Sequence, residues 1–178
     1  MLSRLSAVLL ITVGTLVPSA AAQQVTKDTV PGVVNLARLE TTVACAGATK
    51  AEAVPELKKM GFASIINLRE ATEEGADVEA GAAAAKAAGM KYIHLPFSGQ
   101  RPDPAVADRF LAALASPGTE PAFIHCASGN RAAAMWLMKR LTVDRWPVDR
   151  ATTEAAALGL TNAALKQFAL DYAQAHQR

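Results

Sequence analysis

Short apolar runs alternate along this chain with stretches whose apolar positions recur every three or four residues. Residues 62–68 (FASIINL), 91–95 (KYIHL) and 120–125 (EPAFIH) read as strands, the first and last of them fully buried. A helix is expected from about residue 50 to residue 60, with Thr49 as N-cap and Gly61 as stop. Pro55 marks either a kink in it or the first turn of a shorter helix starting nearer Glu52. The Ala-rich stretch VEAGAAAAKAAG reads as a helix capped by Asp77 and stopped by Gly89. Residues 105–114 place Val106, Phe110, Leu111 and Leu114 on one helical face, and residues 131–141 do the same with Met135, Trp136, Leu137 and Leu141. Asp149 opens a helix through Leu158, and Asn162 begins a last one through about Ala175. Toward the front, residues 32–37 and the β-branched residues 39–45 read as two strands, and residues 23–30 as a loose polar segment.

Strand–helix alternation predicts an α/β domain with a mostly parallel central sheet flanked by helices. Ligands of such sheets sit beyond the carboxyl ends of the strands. The loops expected there are residues 45–49, 69–76, 97–104 and 126–131.

The first 22 residues stand apart. Arg4 precedes an apolar run over residues 5–17, and Pro18 to Ala22 end it in small side chains. This is the pattern of a secretory signal peptide over residues 1–22, with cleavage before Gln23. The apolar run is about 13 residues, short of the roughly 20 that span a bilayer, so no stable membrane span is expected after cleavage. Residues 23–178 then form a single domain, and the expected location is the periplasm or outside the cell. The chain carries 18 Lys and Arg against 16 Asp and Glu, a balance that gives no reason to expect nucleic acid or an anionic membrane as partner. Aromatics are only 5% of a chain that is 51% hydrophobic, so the core must be built from small aliphatic side chains. The histidines are scattered without close carboxylate or cysteine partners, a poor metal signal, and no cofactor is called for.

Chemistry concentrates in HCASGNR, His125 to Arg131, between the strand of residues 120–125 and the helix that follows. A strand feeding a Gly-containing turn that opens a helix makes an anion cradle of free N–H groups, reinforced by the helix N-terminus. The loop residues Ala127, Ser128, Gly129 and Asn130 would supply that cradle. The same field favours the thiolate of Cys126 as a nucleophile, and Arg131 offers a planar fork of donors to a bound oxyanion. The alternative is a buried core cysteine with an unrelated surface arginine.

The order His-Cys…Gly…Arg resembles the active-site loop of cysteine-dependent protein phosphatases, tyrosine or dual-specificity. Those place five residues between cysteine and arginine. Four stand here, the spacing of many rhodanese-type sulfurtransferases and of a bacterial family of phosphatase-like domains, some of them fused to a beta-lactamase-like hydrolase domain. The wider sequence is similar to that bacterial family: GFASIINLR, KYIHLPFS, FIHCASGNRAAAMW and TTEAAALGL follow in order over most of residues 23–178. The resemblance implies a dual-specificity-phosphatase-like fold, Cys126 as nucleophile and Arg131 with the loop amides as the phosphoryl cradle. It also implies that His125 orients the loop, a duty that a plain core histidine would not have.

The resemblance further asks for a carboxylic acid to protonate the leaving oxygen, just after KYIHLP. Ser98 and Gly99 stand there; Asp103, farther along the same loop, is the candidate, with a turn residue between two prolines as its other reading. Arg69 ends its strand at the presumed active edge and could contact an anionic substrate, or else pair with Glu70, Glu73 or Glu74. Cys45, the only other cysteine, could form a disulfide with Cys126 as a redox partner or be a buried small residue. Three functions compete: a phosphatase acting on a phosphorylated protein or a small phosphoester, a sulfurtransferase carrying a persulfide on Cys126, and an inactive anion-binding module.

Overall fold

β-Branched and aliphatic runs too short to form helices become strands, and the Ala-rich segments between them become helices that cover both faces of the resulting sheet. The computed structural model describes residues 24–40 and 42–176; the expected signal peptide lies outside them. Six strands occur among the described residues: β1 (Val25–Lys27), β2 (Ala37–Leu39), β3 (Val43–Ala46), β4 (Ser64–Asn67), β5 (Lys91–His94) and β6 (Ala122–His125). The helices are α1 (Val54–Lys59), α2 (Val78–Ala87), α3 (Pro104–Ala115), α4 (Asn130–Thr142), α5 (Val148–Ala157) and α6 (Ala163–Ala175). The sheet order is β1-β2-β3-β6-β4-β5. Strands β3, β6, β4 and β5 pair in parallel, and β1 and β2 add an antiparallel hairpin edge. The mostly parallel α/β fold is the one expected.

Register aligns the chemistry. Ala46 is opposite His125, His125 is opposite Asn67, and Asn67 is opposite His94. This row closes the carboxyl ends of all four parallel strands, so the loops that leave them gather at one edge.

Three local expectations are corrected. Residues 25–27 form an edge strand: Val25 packs against the core while Thr26 and Lys27 stay exposed, a pattern too short to stand out in the sequence. The single strand expected over residues 39–45 is two, because the chain reverses at Glu40, which adopts φ +47°. Of the expected strand over residues 32–37, Val33 pairs in an isolated bridge to Thr49 and Ala37 opens β2. That bridge takes Thr49 out of a capping role, and its hydroxyl donates to the Gly47 carbonyl. The helix after it begins as a 3-10 turn, Ala51–Ala53, and Pro55 sits in the first turn of α1, which tolerates a missing N–H.

One apolar layer, with Phe62, Ile65 and Phe123, lies between the sheet and α1/α2. The larger one surrounds α4, whose residues 131–138 are all buried. A helix buried on every face must be apolar all round, and small alanines let the sheet and α6 approach it closely. The charged exceptions are Arg131, at its start, and Arg140. Arg140 Nε donates to Glu154 Oε1 at 2.7 Å and its Nη1 to Asp144 Oδ2 at 2.8 Å, and its guanidinium lies over Trp136 and Trp146. Trp136 Nε1 donates to the same Glu154 oxygen at 2.7 Å. The tryptophan of FIHCASGNRAAAMW and the glutamate of TTEAAALGL, weak signals apart, are therefore two ends of one buried contact. Glu154→Ala removes the more deeply buried of that guanidinium's two carboxylates and the acceptor of Trp136 Nε1, and a loss of about 3–5 kcal/mol is expected in urea unfolding; Glu154→Gln retains an acceptor for Trp136 and should lose less.

Candidate active site

The loop from Cys126 to Arg131 leaves the end of β6 and enters α4 directly. Its outer surface is pinned. The Ala127 carbonyl accepts from Ala48 N at 2.9 Å, and the Ser128 carbonyl accepts from Asn35 Nδ2 at 3.2 Å. A peptide unit is planar and trans, so a carbonyl drawn outward turns the N–H of the next residue inward. The N–H groups of Ser128 and Gly129 therefore face the inside of the loop, and Gly129 N sits on the Cys126 sulfur at 3.1 Å. Gly129 takes φ +101°, which a side chain would strain. Gly47 lets the two loops touch: a Cβ there would lie 2.9 Å from the Ala127 oxygen.

Arg131, in the first turn of α4, is buried and held along one edge. Its Nη1 donates to Glu73 Oε1 at 2.6 Å, to the Phe97 carbonyl at 2.9 Å and to the Leu68 carbonyl at 3.2 Å, and its Nη2 donates to Glu73 Oε2 at 2.8 Å. Nε–H and the second Nη2–H are left for the neighbouring Cys126 sulfur and for a bound oxyanion. Burial opposes charge on Glu73, but hydrogen bonds from Arg131, the Glu70 amide and Arg69 outweigh it and hold the carboxyl down at about 2.

Beside the guanidinium is an open cleft of about 470 Å³, lined by residues of four segments: Glu70 and Glu73, Ser98 to Arg101, Ser128 with Asn130 and Arg131, and Asn162 with Leu165. Three of the four loops expected at this edge form it. The fourth, residues 45–49, buttresses the back of the Cys126 loop instead. Cys126 itself is fully buried beneath the loop, deeper than an open cradle would hold it.

Other predicted residues fall elsewhere. Asp103 does not line the cleft. It is exposed, and its carboxylate accepts from Ala105 N at 2.9 Å as the N-cap of α3. Arg69 is buried with its donors spent on Glu73 Oε2 (3.3 Å), the Gly75 carbonyl (2.9 Å) and the Glu74 carbonyl (2.5 Å), so it clamps the loop after β4. Asn130 lines the cleft, but its Oδ1 accepts from Thr161 N (2.7 Å), Thr161 Oγ1 (3.2 Å) and Asn162 N (2.8 Å), tying the start of α6 to the loop. His125 has its Nδ1 buried with no hydrogen-bond partner among the described residues, so it orients nothing through that atom. Burial first, then the charges of Arg69 and Arg131, push its ionisation down to about 3, leaving it neutral. Cys45 lies in β3 in register with Ile124, on the same side of the sheet as Cys126. Both thiols are free, and burial followed by the Cys126 charge raises the ionisation of Cys45. The residues missed by sequence reasoning are Glu73 as the arginine's partner and Asn35 and Gly47 as the loop's outer clamp.

Two outcomes follow. Asn35→Ala frees the Ser128 carbonyl and should weaken vanadate binding roughly three- to tenfold in calorimetry, the worth of one hydrogen bond. The Glu73 contribution to stability is full above pH 4.5 and lost as pH falls through about 2. Urea midpoints of the wild type should therefore drop across that window by an increment that Glu73→Gln lacks.

The family described as beta-lactamase hydrolase-like protein, phosphatase-like domain, matches residues 35–142. No curated protein matches the chain. Among solved structures, the DUF442 protein of Shewanella putrefaciens CN-32 is similar at a TM-score of 0.68 and 20% identity, covering 83% of this chain and 96% of that one. P. aeruginosa TpbA is similar at 0.64 and 21%, covering 88% and 92%. The core catalytic domain of the PP-IP phosphatase SIW14 from S. cerevisiae is similar at 0.64 and 19%, covering 81% and 88%. These likenesses establish the shared fold, and the family match spans more than half of the sequence, so the chain belongs to the phosphatase-like domain family of beta-lactamase hydrolase-like proteins.

Proposed function

We propose that this chain is an exported, cysteine-dependent phosphatase. The observation that carries the reading is the pair of outward-drawn carbonyls at Ala127 and Ser128, which leaves inward amides around a sulfur with a guanidinium beside it. Such a ring stabilises a phosphoryl group whose charge is spread over three oxygens. In the reaction the Cys126 thiolate attacks phosphorus, the loop amides and the open edge of Arg131 hold the equatorial oxygens, and Glu73 keeps that edge aimed. Because the loop covers the sulfur, the incoming phosphoryl group takes up the amides as the loop parts. A TpbA variant from P. aeruginosa, 20% identical, is found in complex with pTyr, which supports a phosphoester as ligand. Export rests on the sequence of residues 1–22.

A second reading draws on one observation. Four residues separate Cys126 from Arg131, and an amide sits directly on the sulfur, an arrangement suited to a persulfide. The same preparation distinguishes the two. The reduced protein, residues 23–178, is offered p-nitrophenyl phosphate, then thiosulfate with cyanide. Phosphate release is expected, abolished in Cys126→Ser and lowered about 10²–10³-fold in Arg131→Lys. Thiocyanate formation would transfer the assignment to sulfur chemistry, and inertness in both assays would leave an anion-binding module.

A further inference from the structure

We propose that Glu70 is the proton donor to the leaving group, an assignment that rests on the phosphatase reading above. Chain order directs attention to Asp103, but that carboxylate begins α3 and stays out of the cleft. Two carboxylates, Glu70 and Glu73, line the cleft. They share one loop and have opposed surroundings. Glu73 is gripped by two guanidiniums and remains ionised far below neutrality, so it has no proton to give. Glu70 is half-buried, and its carboxyl has no hydrogen bond or ion pair among the described residues. Its backbone N–H donates to Glu73 Oε1 at 2.8 Å, and that same oxygen accepts from Arg131 Nη1 at 2.6 Å. The main chain at Glu70 is thus fixed two hydrogen bonds from the phosphoryl-binding guanidinium, while its side chain lines the cleft. One carboxylate of the loop is thus committed to holding the arginine, and the other is left facing the cleft. The charged groups that share the cleft with Glu70 are Glu73 on its own loop, Arg101 from the loop before α3, and Arg131 from α4.

The step balances. The Cys126 sulfur forms its bond to phosphorus as the ester P–O bond breaks; the leaving oxygen keeps the electron pair and takes the Glu70 proton. Water then attacks the phosphocysteine and gives its proton to the Glu70 carboxylate, the P–S bond breaks, and the thiolate and inorganic phosphate are released.

Leaving-group dependence tests this. Nitrophenolate departs without a proton, whereas the alkoxide of phosphoserine does not. Glu70→Gln should lose about 10²–10⁴-fold in kcat/KM on phosphoserine and under tenfold on p-nitrophenyl phosphate. Part of the phosphoserine rate should be recovered in Glu70→Asp. Asp103→Asn, which keeps a helix-capping residue, should leave the ratio of the two rates unchanged. Equal losses on both esters, no loss on either, or a selective loss in Asp103→Asn would overturn the assignment. A wild type that hydrolyses the nitrophenyl ester but not phosphoserine would overturn it too, with the phosphatase reading intact. Failure of the wild type on both esters, or full activity in Cys126→Ser, would remove the phosphatase reading and Glu70's role with it.

Discussion

Peptide planarity ties the outside of the Cys126 loop to its inside. Two carbonyls are drawn outward, by the amide of Ala48 and the side chain of Asn35, and the amides that follow them are thereby aimed at the sulfur. The anion site is thus built from behind. Gly47 belongs to it because any side chain there would push β3 and the loop apart. The left-handed turn at Gly129 belongs to it because it lets α4 start at once and brings Arg131 to the rim.

The arginine shows the same logic of prior commitment. A guanidinium on a long flexible stem loses much rotamer freedom when it grips a ligand. Here that freedom is already lost on folding. Two backbone carbonyls and a bidentate carboxylate occupy one edge, and the helix that carries the residue is enclosed by sheet and helices. Arg69 does for the Glu73 loop what Glu73 does for Arg131, so the sequence from Asn67 to Gly75 acts as a scaffold beneath one guanidinium.

What could be seen in the sequence was what is local. The strand order of chemistry, the Cys126–Arg131 turn, the caps at Asp77 and Asn162 and the mostly parallel sheet all follow from neighbouring residues and hydrophobic period. The pairing of Arg131 with Glu73 spans 58 positions and that of Asn35 with Ser128 spans 93, and no periodicity announces either. Asp103 drew attention because its loop was right; the proline after it, at the start of α3, marks it as a cap. The hairpin at Glu40 escaped because β-branched residues continue through the reversal and show no break.

Asn130 gives the site a reach beyond its own loop. One side-chain oxygen gathers two amides and a hydroxyl from the junction of α5 and α6, so that junction is stitched to the first turn of α4. Leu165, one turn into α6, is in consequence a wall of the cleft. Changes in length or composition between residues 158 and 165 would resculpt the space above the arginine while leaving the thiol and its amides untouched, a route by which a single scaffold diversifies what it admits.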